Sequence, residues 1–213
     1  MRLLRWVDGW MIGLLLVVVA LDVAAADTRL LDATRDNDVA AVRSLLHQQV
    51  DVNAPAPDGA TALHWAAYLE NSEVATLLVQ AGADVGAANR YGATPLSLAC
   101  TNGDAELVKL LLDAGAAPND VGAEGETALM TAARTGNVDV VKQLLAHGAQ
   151  VNRKEGWRGQ TALMWAAAEG HLDVVDTLIE AGSDIHVGSN EGFTPLLFAV
   201  RHGQMHIVRA LVS

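Results

Sequence analysis

Six threonines set a ruler along this chain. Thr28, Thr61, Thr94, Thr127, Thr161 and Thr194 are separated by 33 residues, with a single step of 34 between Thr127 and Thr161. A glycine stands two residues before each of the last five, at Gly59, Gly92, Gly125, Gly159 and Gly192. A further glycine falls 21 residues after four of them, at Gly82, Gly115, Gly148 and Gly182. A period of this length means one small supersecondary unit, copied and stacked, because a unit so short cannot bury its own apolar face.

The unit reads most clearly from Thr161 to Asp184, TALMWAAAEGHLDVVDTLIEAGSD. Thr161 is placed to cap a helix, offering its hydroxyl to an N–H that has no partner in the first turn. Leu163, Trp165, Ala166 and Ala167 give a short apolar helix, small enough on one side for a neighbour to come close. Gly170 and His171 break it. Asp173 then suits the first turn of a second helix, whose apolar positions are Val174, Val175, Leu178 and Ile179. Gly182 is the expected left-handed stop. The motif recurs as Thr61-Ala62-Leu63-His64-Trp65-Ala66-Ala67 and Thr94-Pro95-Leu96-Ser97-Leu98-Ala99-Cys100. Pro95 and Pro195 sit at a first helical position, where the missing N–H costs nothing.

On these residues the chain resembles the ankyrin-repeat family over the whole of its length after residue 26. The resemblance implies an all-α solenoid of stacked helix-turn-helix units with β-turn fingers. The copies are expected at 27–55, 56–88, 89–121, 122–155, 156–188 and 189–213, the first as a polar cap and the last incomplete. Two departures stand out. Only His64 keeps the family's histidine, where other copies have Ser97, Met130, Met164 and Leu197, so the hydrogen bonding inside each turn should be weaker. The finger beginning at Asn152 holds the extra residue and should protrude furthest.

The first 26 residues read differently. Arg2 and Arg5 precede an apolar run from Trp10 to Leu21, followed by Ala24-Ala25-Ala26-Asp27. That is the layout of a cleavable secretory signal peptide, with no twin arginine, and it predicts a periplasmic or secreted bacterial protein with no membrane attachment after cleavage. At the other end, Ile207, Val208, Leu211 and Val212 occupy stack-facing positions and no polar copy follows. A fragment of a longer protein, or self-association through this uncapped end, is the expectation.

Chemistry is not expected. A net charge of −11 without a basic stripe argues against nucleic acid as partner. His202 and His206 are four apart, but Gly203 breaks the helix between them, so no metal site is expected. Neither Ser44 nor Ser97 has a base at a recognisable spacing, and Glu169-Gly170-His171 matches turn positions elsewhere in the repeat. No catalytic residue, metal or cofactor is therefore assigned. Cys100 replaces alanines of other copies and reads as a buried small residue.

The resemblance instead implies binding of another protein through the concave face and finger tips. The candidate positions are Tyr68, Tyr91, Arg134, Trp157, Arg158, Phe193 and Arg201, a set rich in the aromatics and arginines that anchor interfaces. Trp65, Trp165 and Phe198 share one first-helix position and are expected in the core. An alternative is that the chain is the substrate-recruiting N-terminal region of a longer exported enzyme.

Overall fold

Thirteen turns with a positive φ at glycine punctuate the chain and cut it into short helices. The computed structural model describes residues 27–122 and 125–212. The expected signal peptide, residues 1–26, lies outside the described residues. Among those described, twelve helices form six consecutive pairs and no strand is present. The pairs are α1 (Arg29–Arg35) with α2 (Val39–His47), α3 (Ala62–Tyr68) with α4 (Ser72–Gln80), and α5 (Pro95–Asn102) with α6 (Ala105–Asp113). They continue as α7 (Ala128–Thr135) with α8 (Val138–Ala146), α9 (Ala162–Glu169) with α10 (Leu172–Glu180), and α11 (Pro195–Arg201) with α12 (Met205–Val212). No described helix is long and apolar enough to cross a membrane.

The threonine ruler has a local cause. In four of the first helices the Thr94, Thr127, Thr161 or Thr194 hydroxyl accepts the N–H three residues on, at 3.2–3.4 Å. Thr61 does it differently. His64 Nδ1 accepts both the Thr61 N–H, at 3.1 Å, and its hydroxyl, at 2.9 Å. His64 Nε2 lies 3.0 Å from the Ala93 carbonyl of the next copy, so the ring is neutral with its proton on Nε2. Thr28 departs from the pattern: its backbone is already helical, and its hydroxyl donates to Asp32 one turn on rather than capping. Most second helices start on Asp38, Asn71, Asp104 or Asn137, each accepting an N–H three residues later.

Gly182 shows how the second helices stop. It takes φ +87°, its N–H reaches the Ile179 carbonyl at 2.9 Å, and the Ser183 N–H reaches Leu178 at 2.9 Å. Two carbonyls are satisfied by one left-handed residue, a conformation that costs glycine nothing.

The core is one continuous band through every copy. Leu63, Leu96, Leu129 and Leu163 are buried in the same phase, as are Leu78, Leu111, Leu144 and Leu178. Ala66–Ala67, Ala132–Ala133 and Ala166–Ala167 are fully buried, and Ala99–Cys100 is their equivalent. Burial pushes the Cys100 thiol up to about 12, so it stays protonated and inert at neutral pH. These small residues let the first helices approach one another more closely than the second helices do between every pair of neighbouring copies. A stack tighter on one side curves toward that side, which places the row α1, α3, α5, α7, α9, α11 on the inside of the curve.

Side chains also tie copy to copy. Asn53, Asn119 and Asn152 each donate to a glycine carbonyl of the next copy, Gly82, Gly148 and Gly182, and accept a backbone N–H two residues beyond it. His171 and His206 reach back to the Arg134 and Gly170 carbonyls, each at 3.0 Å. His171 at the cap of α10 and His206 in the first turn of α12 are thus clamps between neighbours.

Candidate protein-binding surface

The fingers and the exposed edge of the first-helix row form one side of the molecule. Four fingers close by the same bond, Ala56 N–H to Ala60, Asn89 to Ala93, Gly122 to Glu126 and Ser189 to Phe193, at 2.8–2.9 Å. The fifth closes from Glu155 to Gln160, one residue longer, so the 34-residue step lies here. Neighbouring fingers are joined directly, Arg90 N–H to the Asp58 carbonyl and Asn190 N–H to that of Arg158, both at 2.8 Å.

Residues at the base of a finger accept the N–H groups of its tip. Asn89 Oδ1 takes those of Tyr91 and Ala93, and Ser189 Oγ takes that of Phe193. In the longer finger the equivalent residue is Glu155, which is buried, at 7% exposure. Its carboxylate accepts the N–H groups of Trp157 at 2.5 Å, Arg158 at 2.7 Å and Gln160 at 2.9 Å. A loop with one more residue has one more donor to satisfy and a wider gap to span; glutamate supplies both the reach and the second oxygen. The carboxylate ties the longer finger together from within, and Trp157 stands outward at 69% exposure.

Arginines lie on aromatic rings all along this side. Arg35 stands 4.7 Å over Trp65, Arg134 5.8 Å over Trp165, Arg158 4.4 Å over Trp157 and Arg201 5.6 Å over Phe193. Trp65 meets Tyr68 edge-on at 5.8 Å, and Phe193 lies 5.8 Å from Phe198. Each such stack contributes about 0.5–1 kcal/mol at an exposed site and, more usefully, fixes a long side chain in one place.

The expectation of three core aromatics holds in full only for Phe198, which is buried. Trp65 and Trp165 are half-buried and offer a ring face to an arginine, Trp165 also packing against the core. Their position, four residues after the threonine, lies at the concave edge. It is covered by the residue seven after the threonine of the preceding copy, Arg35 or Arg134. Where this position holds Leu98 and Thr131, less of the edge is filled. A cleft of about 500 Å³ opens there, lined by Tyr91, Ser97, Leu98, Thr131, Arg134 and Trp165 among others. A smaller one of about 280 Å³ has Asp58, His64, Trp65, Tyr68, Asn89 and Leu98 on its walls.

The seven candidates thus fall into three groups. Tyr68 edges the smaller cleft, and Tyr91 and Arg134 line the larger. Trp157 with Arg158, and Phe193 with Arg201, occupy the last two fingers and the end of α11. Tyr68 and Tyr91 are 58% and 68% exposed, whereas Phe193 is half-buried beneath its arginine. Reading the sequence missed Trp165, Trp65 and Glu155 as members. The spacing carried a signal for the tryptophans: Arg35 to Trp65 and Arg134 to Trp165 are each about one repeat less three residues apart.

Ser97 is engaged with Thr94 in the helix cap, and His202 ends α11 while His206 is bonded to Gly170. Among the described residues, no group of three metal-ligating side chains converges.

A family profile described as ankyrin repeats (3 copies) matches residues 30–121, 85–155, 115–188 and 155–213. A search of curated proteins finds no significant match.

Proposed function

Because the chain belongs to the ankyrin-repeat family, whose repeats generally mediate protein–protein interaction, we propose that it is a non-catalytic module that binds a partner protein along its fingers and first-helix edge. One observation carries the reading. Tyr68, Tyr91 and Trp157, the three most exposed aromatics among the described residues, stand on this one side together with four arginines placed over rings. Large exposed aromatics are costly to keep in water, and with arginine they supply most of the energy at interfaces. A rigid stack also binds without an ordering penalty, because its recognition side chains are already held.

The partner is met outside the cytoplasm, on the reading of residues 1–26 as an export signal. Sequencing the N-terminus of protein recovered from a periplasmic fraction tests this; a chain starting at Met1 would reject it.

The test of binding is affinity capture from that compartment, followed by calorimetry on the captured partner. Trp157→Ala should leave melting nearly unchanged and weaken binding by about 2 kcal/mol or more. A large loss of melting temperature with unchanged affinity would make Trp157 a structural residue and reject the assignment.

A further inference from the structure

Cations along this molecule are held in different ways. On the second-helix side Arg43 pairs with Glu73 at 2.7 Å, and Lys109 and His147 share Asp113, while Lys142 and Arg209 form no ion pair among the described residues. Near the start, Arg29 pairs with Asp27 at 2.6 Å. On the finger side, Arg90 and Lys154 are used within the protein, donating to the Pro57 and Gly188 carbonyls. Arg134, Arg158 and Arg201 are neither paired nor spent. Among the described residues, none has a carboxylate within ion-pair distance and none donates a guanidinium hydrogen bond. Each guanidinium lies within about 6 Å of a ring centroid, which restrains the side chain while no described group claims its N–H donors. A fork so held is free to receive a carboxylate bidentately.

We infer that the partner offers this surface an extended segment with carboxylate side chains, received by Arg134, Arg158 and Arg201 and flanked by Trp157 and the larger cleft. The inference rests on the protein-binding reading above and adds the chemistry of the partner. Arg134 and Arg201 lie in the last turns of first helices two copies apart. Packed helices stand about 8–10 Å apart, so the two forks are separated by about 16–20 Å. An extended chain rises about 3.3 Å per residue, which places the matching acids about five or six residues apart in the partner.

The chain's own acidity does not forbid this. Its net charge of −11 is spread over the whole length, and charges further off than about 8 Å are largely screened at physiological salt. Asp120, Glu169 and Glu191 are exposed carboxylates of the same region, and Glu155 is buried and engaged with its three N–H groups. Asp120 and Glu126 line the larger cleft. The acids of the partner are therefore directed to the ring-stacked forks, and its apolar groups to the cleft.

A random 16-residue peptide library selected on the full purified chain, with anisotropy on the enriched peptides, tests the inference. Asp and Glu should be enriched at a spacing of five or six. Replacing them by Asn and Gln should weaken binding about tenfold or more per fork engaged. The triple variant R134Q/R158Q/R201Q should lose this preference, while R43Q/K109Q keeps it. A triple arginine-to-lysine variant should bind with intermediate affinity, since it keeps charge and loses the planar fork. Circular dichroism on each variant confirms that the helices are intact. Neutral or basic peptides whose binding is lost in Trp157→Ala would overturn the acidic preference and leave the protein-binding reading standing. A single-stranded oligonucleotide bound through the three arginines, with no acidic peptide enriched, would overturn it as well. Peptides insensitive to Trp157 and to all three arginines would overturn both.

Discussion

Glu155 offers the sharpest perturbation, because one buried carboxylate closes a whole finger. Its three N–H partners are at 2.5, 2.7 and 2.9 Å, and hydrogen bonds to a charged group are each worth about 1.5–3 kcal/mol. The full sum is not lost in Glu155→Ala. Trp157 and Arg158 are at an exposed tip, so their N–H groups regain water when the carboxylate is gone. Gln160, at the base beside Trp165, regains less. The expected net cost is about 2–4 kcal/mol, the value of one to two such bonds plus the cavity left behind. Glu155→Gln should cost about 1–2 kcal/mol, since its oxygen can still serve Arg158 and Gln160 while its NH2 opposes the Trp157 N–H. Urea unfolding followed by circular dichroism measures the difference. Because a repeat stack can open in parts, hydrogen exchange at the amides of Trp157, Arg158, Gln160 and Asn190 is read in parallel. A Glu155→Ala protein within about 0.5 kcal/mol of the parent, with unchanged exchange at those four amides, would refute the claim that the carboxylate shapes this finger.

Other expectations follow from the same structure. Leu178→Ala, at a fully buried site, should cost about 2–5 kcal/mol in urea unfolding, and a loss under about 1 kcal/mol would contradict the continuous core. His64 is held below its usual range of 6.5, mainly by burial, against the opposing pull of the Ala93 carbonyl. The unfolded chain therefore takes up a proton that the folded chain resists, so His64 leaves stability intact above 6.5 and erodes it as pH falls below that value. In His64→Gln, which can still accept the Thr61 N–H, the slope of stability between pH 6.5 and 5 should flatten. An unchanged slope would show that His64 is not the group responsible. His147 has the opposite sign: the Gln143 carbonyl, then Asp113, raise it, so its contribution is complete below 6.5 and fades as pH rises through its folded value. It does not confuse the acid-side test.

The period, the caps and the core phase were legible in the chain because each is local. Thr161 and Gly182 act on neighbours within four residues, and Leu178 is buried by the same rule as Leu78 and Leu144. What was not legible depends on the next copy. Trp165 looks like core when read on its own helix; its ring face is at the concave edge because α7 supplies Arg134 to cover it. Glu155 reads as one more charge in a charged finger until the loop closes around it. The expected weakening of the caps holds only in part: Ser97 rebuilds the exchange with Thr94, and Met130 offers only a sulfur to the Thr127 N–H at 3.4 Å. Small polar side chains can substitute for a histidine in that role wherever the geometry is short-range.

On the proposed function, recognition happens on the finger side of the stack. Hydrogen exchange on the complex with the captured partner measures this residue by residue. Slowed exchange in the fingers at 89–93, 155–160 and 189–193 and in the last turns of α3, α7 and α11 is the predicted result. Protection confined to the second-helix row, α2 to α10, with the fingers exchanging as in the free protein, would contradict it.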